Sequence, residues 1–252
     1  GRCRACAVRL RVGGGMPPIV ASPREKPAGL TGPYSVPRPG QNGKSAGYPA
    51  ATREQVMDAV AWSFAQKVQL LTHANGDAAS DLLLEAVRTL AKTHPDYRET
   101  RPVLVHGQVL REDQMDDIKE LGVFPTLFPM HTFYWGDYYR ASVLGPERSQ
   151  VISPTEWARA REMMFGTHHD APVALPDSMR VLSATVTRRT RSGYVLGPAQ
   201  RVDALTALKA MTIWPAWQHF EEKDKGSLEV GKLADLVILS DETTAVDPPQ
   251  IE

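Results

Sequence analysis

Two short apolar runs that each end in a histidine constrain the fold of this chain most strongly. Val103-Leu104-Val105 leads into His106 and Gly107, and Val68-Gln69-Leu70-Leu71-Thr72 leads into His73. A short β-branched run that stops at a polar residue is typical of a buried strand that delivers a side chain to the end of a sheet. The two histidines lie 33 positions apart. One strand–helix repeat of an eight-stranded (β/α) barrel takes roughly 30 residues, so the spacing predicts neighbouring strands of such a barrel.

A carboxylate follows a third candidate strand end. Asp170 comes directly after Phe165-Gly166-Thr167-His168-His169 and lies 64 positions beyond His106, or about two repeats. The carboxyl ends of parallel strands open on one face of a barrel, so we expect His73, His106 and Asp170 to converge there. Neutral imidazole and carboxylate groups suit Zn²⁺. The spacing therefore predicts a metal site, with a hydrogen-bonded structural role for each histidine as the alternative.

The composition excludes several classes of partner. The chain has 29 basic and 29 acidic residues, so no excess of charge draws it to nucleic acid or to an anionic membrane. No apolar run approaches the roughly 20 residues of a transmembrane helix, and no signal-peptide pattern is present, which favours a cytoplasmic location. Cys3 and Cys6 form a lone C-x-x-C pair. A structural zinc site needs four ligands, so we interpret the pair as two reduced thiols.

Helix and turn signals divide the chain into strands and helices. Residues 1–50 are rich in proline and glycine and are expected to form extended loop, apart from an alternating strand at 7–12. Thr52, with Gln55 three residues later, predicts a capping box at the start of a helix. The remaining predicted elements are helices at 78–92, 112–121, 178–190 and 203–219, a third strand at 123–129, a helix start at Ser153-Pro154-Thr155-Glu156 and a final turn and strand over 226–239. The alternation of strands and helices predicts an α/β fold with parallel strands.

Two side-chain clusters interrupt this pattern. Residues 131–139 concentrate aromatic rings, including His131 and Trp135, in what we expect to be a long loop. Long loops in compact domains are usually functional, so we interpret this one as a substrate-facing lid, with packing as the alternative. Arg188-Arg189-Thr190-Arg191 follows a predicted helix. We interpret this basic run as a solvated helix end rather than a phosphate site.

Several motifs, taken in order, resemble the amidohydrolase superfamily, and the closest branch is the YtcJ-like, amidohydrolase-3 group. The motifs are His73-Ala74-Asn75-Gly76-Asp77-Ala78-Ala79, His106-Gly107-Gln108-Val109, His131-Thr132-Phe133-Tyr134-Trp135-Gly136-Asp137, His169-Asp170-Ala171-Pro172-Val173, Val186-Thr187-Arg188-Arg189 and Gly231-Lys232-Leu233-Ala234-Asp235-Leu236-Val237. The resemblance runs from about residue 20 to residue 248. It rests on the order of the motifs, since none alone is specific.

The resemblance implies a metal-dependent TIM barrel that hydrolyses carbon–nitrogen bonds other than peptide bonds in a small-molecule substrate. It implies one or two divalent metal ions, with zinc the first candidate, and it makes His73 and His106 ligands from the fifth and sixth strands. Asp170, at the end of the eighth strand, would bind metal and take the proton of the attacking water. His131, Trp135 and His169 are the candidate substrate-binding residues, with His169 standing where the family usually has serine.

The resemblance also divides the chain. It implies an N-terminal segment (1–50), the C-terminal half of an incomplete TIM barrel (51–222) and part of a small β-domain with a tail (223–252). The family's H-x-H pair has no counterpart here, and its bridging lysine falls at Met16, whose thioether cannot be carbamylated and binds Zn²⁺ poorly. A truncated or degenerate non-catalytic paralogue is therefore the alternative function. The exposed strand edge of half a barrel would favour a homo-oligomer.

Overall fold

The computed structural model describes residues 23–41 and 43–251. The predicted strand at 7–12, the pair Cys3 and Cys6, and Met16 lie outside these residues. No helix in the part of the chain that the structure describes is both long enough and apolar enough to cross a bilayer.

Among the described residues, four parallel strands form one sheet and lie side by side in chain order. They are β1 (Leu71–Ala74), β2 (Val103–His106), β3 (Phe124–Leu127) and β4 (Gly166–Thr167). Ala74 pairs with His106, and His106 pairs with Leu127, so the carboxyl ends of the first three strands are level. The predicted α/β fold with parallel strands is confirmed.

The helices fill the connections between strands and follow them. They are α1 (Arg53–Ala65), α2 (Asp77–Leu90), α3 (Glu112–Leu121), α4 (Met130–Tyr138), α5 (Gly145–Arg148), α6 (Thr155–Ala160), α7 (Ser178–Thr187), α8 (Ala204–Lys209) and α9 (Ile213–Gln218). The predicted capping box is confirmed, because the Thr52 hydroxyl accepts from the backbone N–H of Gln55 and the Gln55 side chain accepts from the backbone N–H of Thr52. The helix predicted at 112–121 is present with these bounds, and Gly122, with φ +66°, ends it.

One apolar core fixes the strands that carry the histidines. Leu83 and Val87 of α2 pack in the same buried cluster as Leu104 of β2 and as Met115 and Ile118 of α3. Parallel strands require such cover because both of their faces carry apolar side chains. Each fully buried side chain of this size contributes about 1.5–3 kcal/mol. The strand β2, which ends at His106, is therefore held in place by the helix that precedes it and by the helix that follows it.

The strand β3 forms although Pro125 lies within it. In a parallel ladder, alternate residues direct their backbone groups to opposite neighbours. The N–H of Phe124 donates to Pro102 on the β2 side. The missing N–H of Pro125 would therefore face β4, which starts only opposite Thr126. The proline costs no ladder bond at this position.

The aromatic segment predicted as a loop is instead the helix α4, followed by a π-helical turn over Tyr139–Val143. Its rings explain the difference. His131 and Trp135, four residues apart, both contact the Phe128 ring, with ring centroids 4.3 Å and 6.2 Å from it. Tertiary contacts of this kind stabilise a helix whose sequence has little helical preference of its own. The prediction of a loop at these residues was wrong.

The predicted helix at 203–219 is interrupted. Thr212 has φ −126° and ψ −90°, and it separates α8 from α9. A proline ring clashes with the carbonyl four residues before it, and Pro215 therefore disfavours an unbroken helix through Met211. The helix start predicted at Ser153-Pro154-Thr155-Glu156 is present, with α6 beginning at Thr155. Ser153 does not cap this helix, because its hydroxyl donates to the Phe128 carbonyl.

The segment 226–239 is not a strand in the structure. A strand needs a partner for its backbone groups, and no residue that the structure describes pairs with this segment. Val237 and Ile238 are 83% and 98% exposed, so the apolar run at the end of the predicted strand covers no core here.

The helix predicted at 178–190 ends at Thr187, and Arg188 follows it with φ +59°. Arg188 is fully buried, which contradicts the interpretation of this residue as part of a solvated helix end. Its guanidinium donates to the backbone carbonyls of Leu196, Ile152 and Ser153 at 2.9–3.1 Å. Backbone carbonyls thus replace the water that the charge would otherwise need. Arg189 and Arg191 are exposed, as predicted.

Candidate functional site

His73 and His106 meet at the carboxyl ends of β1 and β2. Their ring centroids are 4.4 Å apart, with the rings at 72° to each other. His106 has φ +78°, and Gly107 continues the turn with φ +50°. A left-handed backbone at a bulky residue costs about 1–3 kcal/mol and persists only where the surroundings enforce it, often at functional sites. The local fold therefore holds the His106 ring at the strand end at a conformational cost.

His168 is a member of this cluster that the sequence did not indicate. It directly follows β4, and its Nε2 lies 3.0 Å from Nδ1 of His106. Its ring stacks on Phe128, at 5.0 Å between centroids and an interplanar angle of 19°. The signal was present in the His168-His169 pair, of which only His169 was selected. His169 is partly buried, and its Nδ1 has no hydrogen-bond partner among the described residues.

Asp170 lies in the turn after β4, with φ +55°. Burial raises the pKa of its carboxyl above the ordinary value, against the opposing charges of Arg24 and His169. The structure does not bring Asp170 into one ligand set with His73 and His106. Within residues 23–41 and 43–251, no three His, Cys, Asp or Glu side chains are grouped so as to hold one metal ion.

The helix α4 places two of the candidate substrate-binding residues beside the cluster. His131 is buried, and its ring centroid lies 6.2 Å from that of His106. Trp135, one turn further on, lies 6.0 Å from His131. The guanidinium of Arg24 covers the Trp135 ring at 4.5 Å. His131, Trp135 and Arg24 therefore form a continuous series of ring and cation contacts that ends at His106.

Burial controls the charge of the cluster. It lowers the pKa of His106 to about 2 and that of His168 to about 3, and the repulsion of neighbouring histidines adds to the effect. The pKa of His131 falls well below its usual value, and that of His73 is also lowered, again by burial. All four rings are thus neutral near pH 7. Because His106 Nδ1 and His168 Nε2 share one hydrogen bond, one of these atoms donates and the other accepts.

Unpartnered polar atoms surround the same strand ends. Among the described residues, buried side-chain atoms without a hydrogen-bond partner follow each of the four strands or lie at its end: those of Asn75, Gln108, His131, Thr132, Thr167 and His169. Gln108, two residues after His106, is fully buried, and neither its Oε1 nor its Nε2 is satisfied. Buried polar atoms are rarely left unpaired. Their concentration at this sheet edge indicates a polar site.

The donor set agrees in its chemistry with a divalent metal ion, because neutral imidazole is the form of histidine that binds metal. His73 and His106 present adjacent rings, and the Nε2 of His168 lies 3.0 Å from the Nδ1 of His106. The Nε2 of His73 lies 2.7 Å from the Asn75 amide, which orients its ring. Such hydrogen bonds to ligand histidines are typical of metal sites.

We expect the metal-free chain to lose stability as the pH falls below about 6.5. Histidines in the unfolded chain take up protons near pH 6.5, whereas folded His106 and His168 remain neutral down to about pH 2 and pH 3. Below about pH 6.5 the unfolded state therefore binds more protons than the folded state. For each such histidine, the free energy of unfolding decreases by about 1.4 kcal/mol for every pH unit by which the pH is lowered. Urea titrations between pH 7 and pH 4.5 in a chelating buffer measure this slope.

The variant His168→Asn is the control for this pH dependence of stability, because it removes one of the histidines whose pKa is strongly lowered. Its slope of stability against pH should be shallower than that of the wild type. A wild-type stability that is constant from pH 7 to pH 5 would contradict the assignment of buried neutral histidines.

Comparisons with known proteins agree with this arrangement. The sequence model of the amidohydrolase family matches residues 7–252. The N-substituted formamide deformylase of Arthrobacter pascens is 26% identical over 180 residues, which cover 68% of this chain and 31% of that protein. The putative amidohydrolase YtcJ of Bacillus subtilis is 23% identical over 188 residues, which cover 73% of this chain and 34% of that protein.

A crystal structure of an uncharacterized metal-dependent hydrolase from Pyrococcus horikoshii has the same fold. It superposes with a TM-score of 0.82 at 23% identity and covers 99% of this chain and 48% of that one. The present chain thus spans about a third of the length of the curated relatives that it matches, and just under half of this solved structure.

Proposed function

The chain belongs to the amidohydrolase family, and from this we propose that it carries part of the active site of a metal-dependent hydrolase. The bond broken would be a carbon–nitrogen bond, other than a peptide bond, in a small molecule. We propose likewise that β1 to β4 are strands of a (β/α) barrel, with the segment from residue 223 onward belonging to a small β-domain. The parallel sheet of β1 to β4 and the match to the family model support both proposals.

One observation carries the proposal of a site at this edge of the sheet. The buried atoms of Gln108, His131, Thr132 and His169 that lack partners all follow a strand and lie at the end that carries His73 and His106. Buried unpaired polar groups are costly unless a ligand, a metal ion or ordered water completes them. A polar substrate with an amide group offers the donors and acceptors that these side chains lack.

We propose His73 and His106 as metal ligands, with His168 or Asp170 supplying a further donor. A divalent metal held there would polarise a carbonyl oxygen and lower the pKa of a bound water. His168 holds the His106 ring through the 3.0 Å hydrogen bond and so fixes its orientation. The tautomer of His106 follows from which of the two nitrogens donates.

Asp170 is the proposed general base and acid. Its pKa is raised by burial, which brings it closer to neutrality than an exposed aspartate and makes it a better proton acceptor. The carboxylate would take a proton from water and return it to the leaving amine. Trp135 and His131 would cover the substrate from α4, in line with their contacts to Phe128 and His106.

The deformylase relative supplies a substrate class to test. Its name states that it removes formyl groups from N-substituted formamides. We expect the chain, supplied with Zn²⁺, to release amine from at least one member of a panel of N-alkyl and N-aryl formamides and acetamides. Amine release is followed by a fluorogenic amine reagent. A panel in which no compound reacts faster than in buffer with Zn²⁺ alone would count against the proposed hydrolase activity.

A further inference from the structure

Gln108 is a fully buried glutamine, and its side-chain amide has no hydrogen-bond partner among the described residues. It lies two residues after His106, at the sheet edge where His73 and His106 meet. Both the Oε1 acceptor and the Nε2 donor group are unpaired, although buried polar atoms are rarely left in this state. We propose that Gln108 binds the amide group of the substrate and selects amides whose C=O and N–H lie on the same edge.

A second buried glutamine shows that this fold can satisfy such a side chain. Gln114 is also fully buried, in the first turn of α3. Its Nε2 donates to the Asp77 carbonyl at 2.7 Å and to the Asp81 carboxylate at 2.6 Å. Its Oε1 accepts from the backbone N–H of Arg111 at 3.0 Å. Burial alone therefore does not explain why the Gln108 amide lacks partners.

Backbone hydrogen bonds hold the main chain at Gln108. Its own carbonyl accepts from the backbone N–H of Ser153 at 2.9 Å. The N–H of the next residue, Val109, donates to the Asn75 carbonyl at 2.8 Å, directly after β1. The segment is thus tied to two other parts of the chain. Little main-chain ordering would oppose the binding of a ligand to a residue that is held in this way.

Arg188 supports the same arrangement through Ser153. Ser153 is fully buried and has φ +48°, a left-handed conformation that persists only where the surroundings enforce it. Its carbonyl accepts from the Arg188 guanidinium at 3.1 Å, and its hydroxyl donates to the Phe128 carbonyl at 3.0 Å. The buried arginine therefore stabilises the residue whose N–H bonds the Gln108 carbonyl.

The side chain of Gln108 is closed off from bulk solvent, so its partner is a group that the site encloses. Enzyme sites commonly close over their substrates and exclude water. A buried donor and a buried acceptor that stay unpaired without a ligand reduce stability, and a ligand that pairs with both removes this cost. The inference rests on the proposed function, because it takes the enclosed group to be an amide.

The geometry of a carboxamide selects one form of the ligand. Its oxygen accepts and its NH2 group donates along one edge, so a paired hydrogen bond needs a ligand with a donor and an acceptor side by side. Lactams and primary amides have this arrangement. An open-chain secondary amide is mostly trans, with C=O and N–H on opposite sides, and it completes only one of the two Gln108 groups. Formamides reach the cis form more easily than acetamides, because their acyl carbon carries only hydrogen.

The test is isothermal titration of the full chain in a chelating buffer, in which metal-dependent hydrolysis does not intervene. The probes are δ-valerolactam, its N-methyl derivative, which lacks the N–H, and N-methylbutanamide, an open-chain trans amide of the same carbon count. We expect the lactam to bind at least about tenfold more tightly than either of the other two, the effect of leaving one buried polar group unpaired. Equal binding of the three amides, or no binding of the lactam, would overturn the proposal.

Gln108→Met removes the amide at similar volume and should abolish the preference for the lactam. Because it also removes unpaired buried atoms, it should leave the urea midpoint unchanged or raise it. The matched control is Gln114→Met, which loses satisfied hydrogen bonds. It should keep the preference but lower the urea midpoint. A preference that survives in Gln108→Met would contradict the proposal. A midpoint of Gln108→Met as low as that of Gln114→Met would also contradict it, because an enclosed water would then complete the Gln108 amide.

The titration separates this inference from the proposed hydrolase activity. A chain that prefers the lactam but hydrolyses no amide supports the role of Gln108 and counts against the hydrolase alone. A chain that hydrolyses amides without this preference does the reverse. The comparison of the three probes needs only the wild type, so it remains decisive if Gln108→Met does not fold.

Discussion

Asp170→Asn is expected to lower kcat by about 10²–10⁴-fold in the zinc-supplied chain while KM changes little. Asparagine keeps the size of aspartate and one acceptor oxygen, but it cannot accept a proton at neutral pH. Positioned proton transfer contributes about this factor to the rate of an enzyme. A loss in kcat with unchanged KM indicates an interaction that belongs to the transition state. The substrate for this measurement is the best one found in the amide panel.

The control for this variant is Asp177→Asn, seven residues further along the same connection. Asp177 caps α7 by accepting from the backbone N–H of Arg180. Because asparagine is an equally good N-cap, Asp177→Asn should change stability little and leave kcat unchanged. If Asp170→Asn kept most of the wild-type kcat, another group would have to be the base. The next candidate would then be His169, whose Nδ1 has no partner among the described residues.

Arg188→Ala is expected to lower the free energy of unfolding by about 3–5 kcal/mol, because each buried carbonyl that loses its donor costs about 1–3 kcal/mol. The wild-type side chain donates to the carbonyls of Ile152, Ser153 and Leu196, and all of these would lose a donor in a fully buried site. Burial already lowers the pKa of this guanidinium to about 9. Urea denaturation with a fitted m-value measures the change.

Arg189→Ala is the matched control, since it removes the neighbouring arginine from an exposed position. Its effect should stay within about 0.5 kcal/mol. Arg188→Lys keeps the charge but loses the planar, forked arrangement of N–H donors. Its loss of unfolding free energy should therefore lie between those of Arg188→Ala and Arg189→Ala. A small effect of Arg188→Ala would show that water replaces the guanidinium and that the carbonyls are not left unpaired.

The sequence predicted those parts of the fold that local chemistry determines. The capping box at Thr52 and Gln55, the end of α3 at Gly122 and the strand to His106 depend on neighbours within a few residues, and all three are present. The approach of His73 to His106 followed from repeat spacing alone, because parallel register places successive strand ends at one edge.

Tertiary contacts determined what the sequence did not predict. The aromatic segment became α4 because its rings pack on Phe128, and Arg188 became a buried cation because backbone carbonyls distant in sequence surround it. His168 entered the cluster through a hydrogen bond to His106, 62 positions away. The strand expected at 226–239 depends on a partner that local sequence cannot supply. Such long-range contacts leave no periodic signal.

The zinc content of the chain tests the central claim, a metal site at the ends of β1 and β2, most directly. Three proteins are compared: the wild type, the variant His73→Ala/His106→Ala and the control variant His94→Ala/His219→Ala. Each is incubated with Zn²⁺ and freed of unbound ion, and its zinc content is then measured by elemental analysis. The control removes two imidazoles that lie away from the strand ends. We expect the wild type and the control variant each to retain at least one zinc ion per chain. The variant His73→Ala/His106→Ala should lack this ion. Equal zinc content in all three folded proteins would contradict the site.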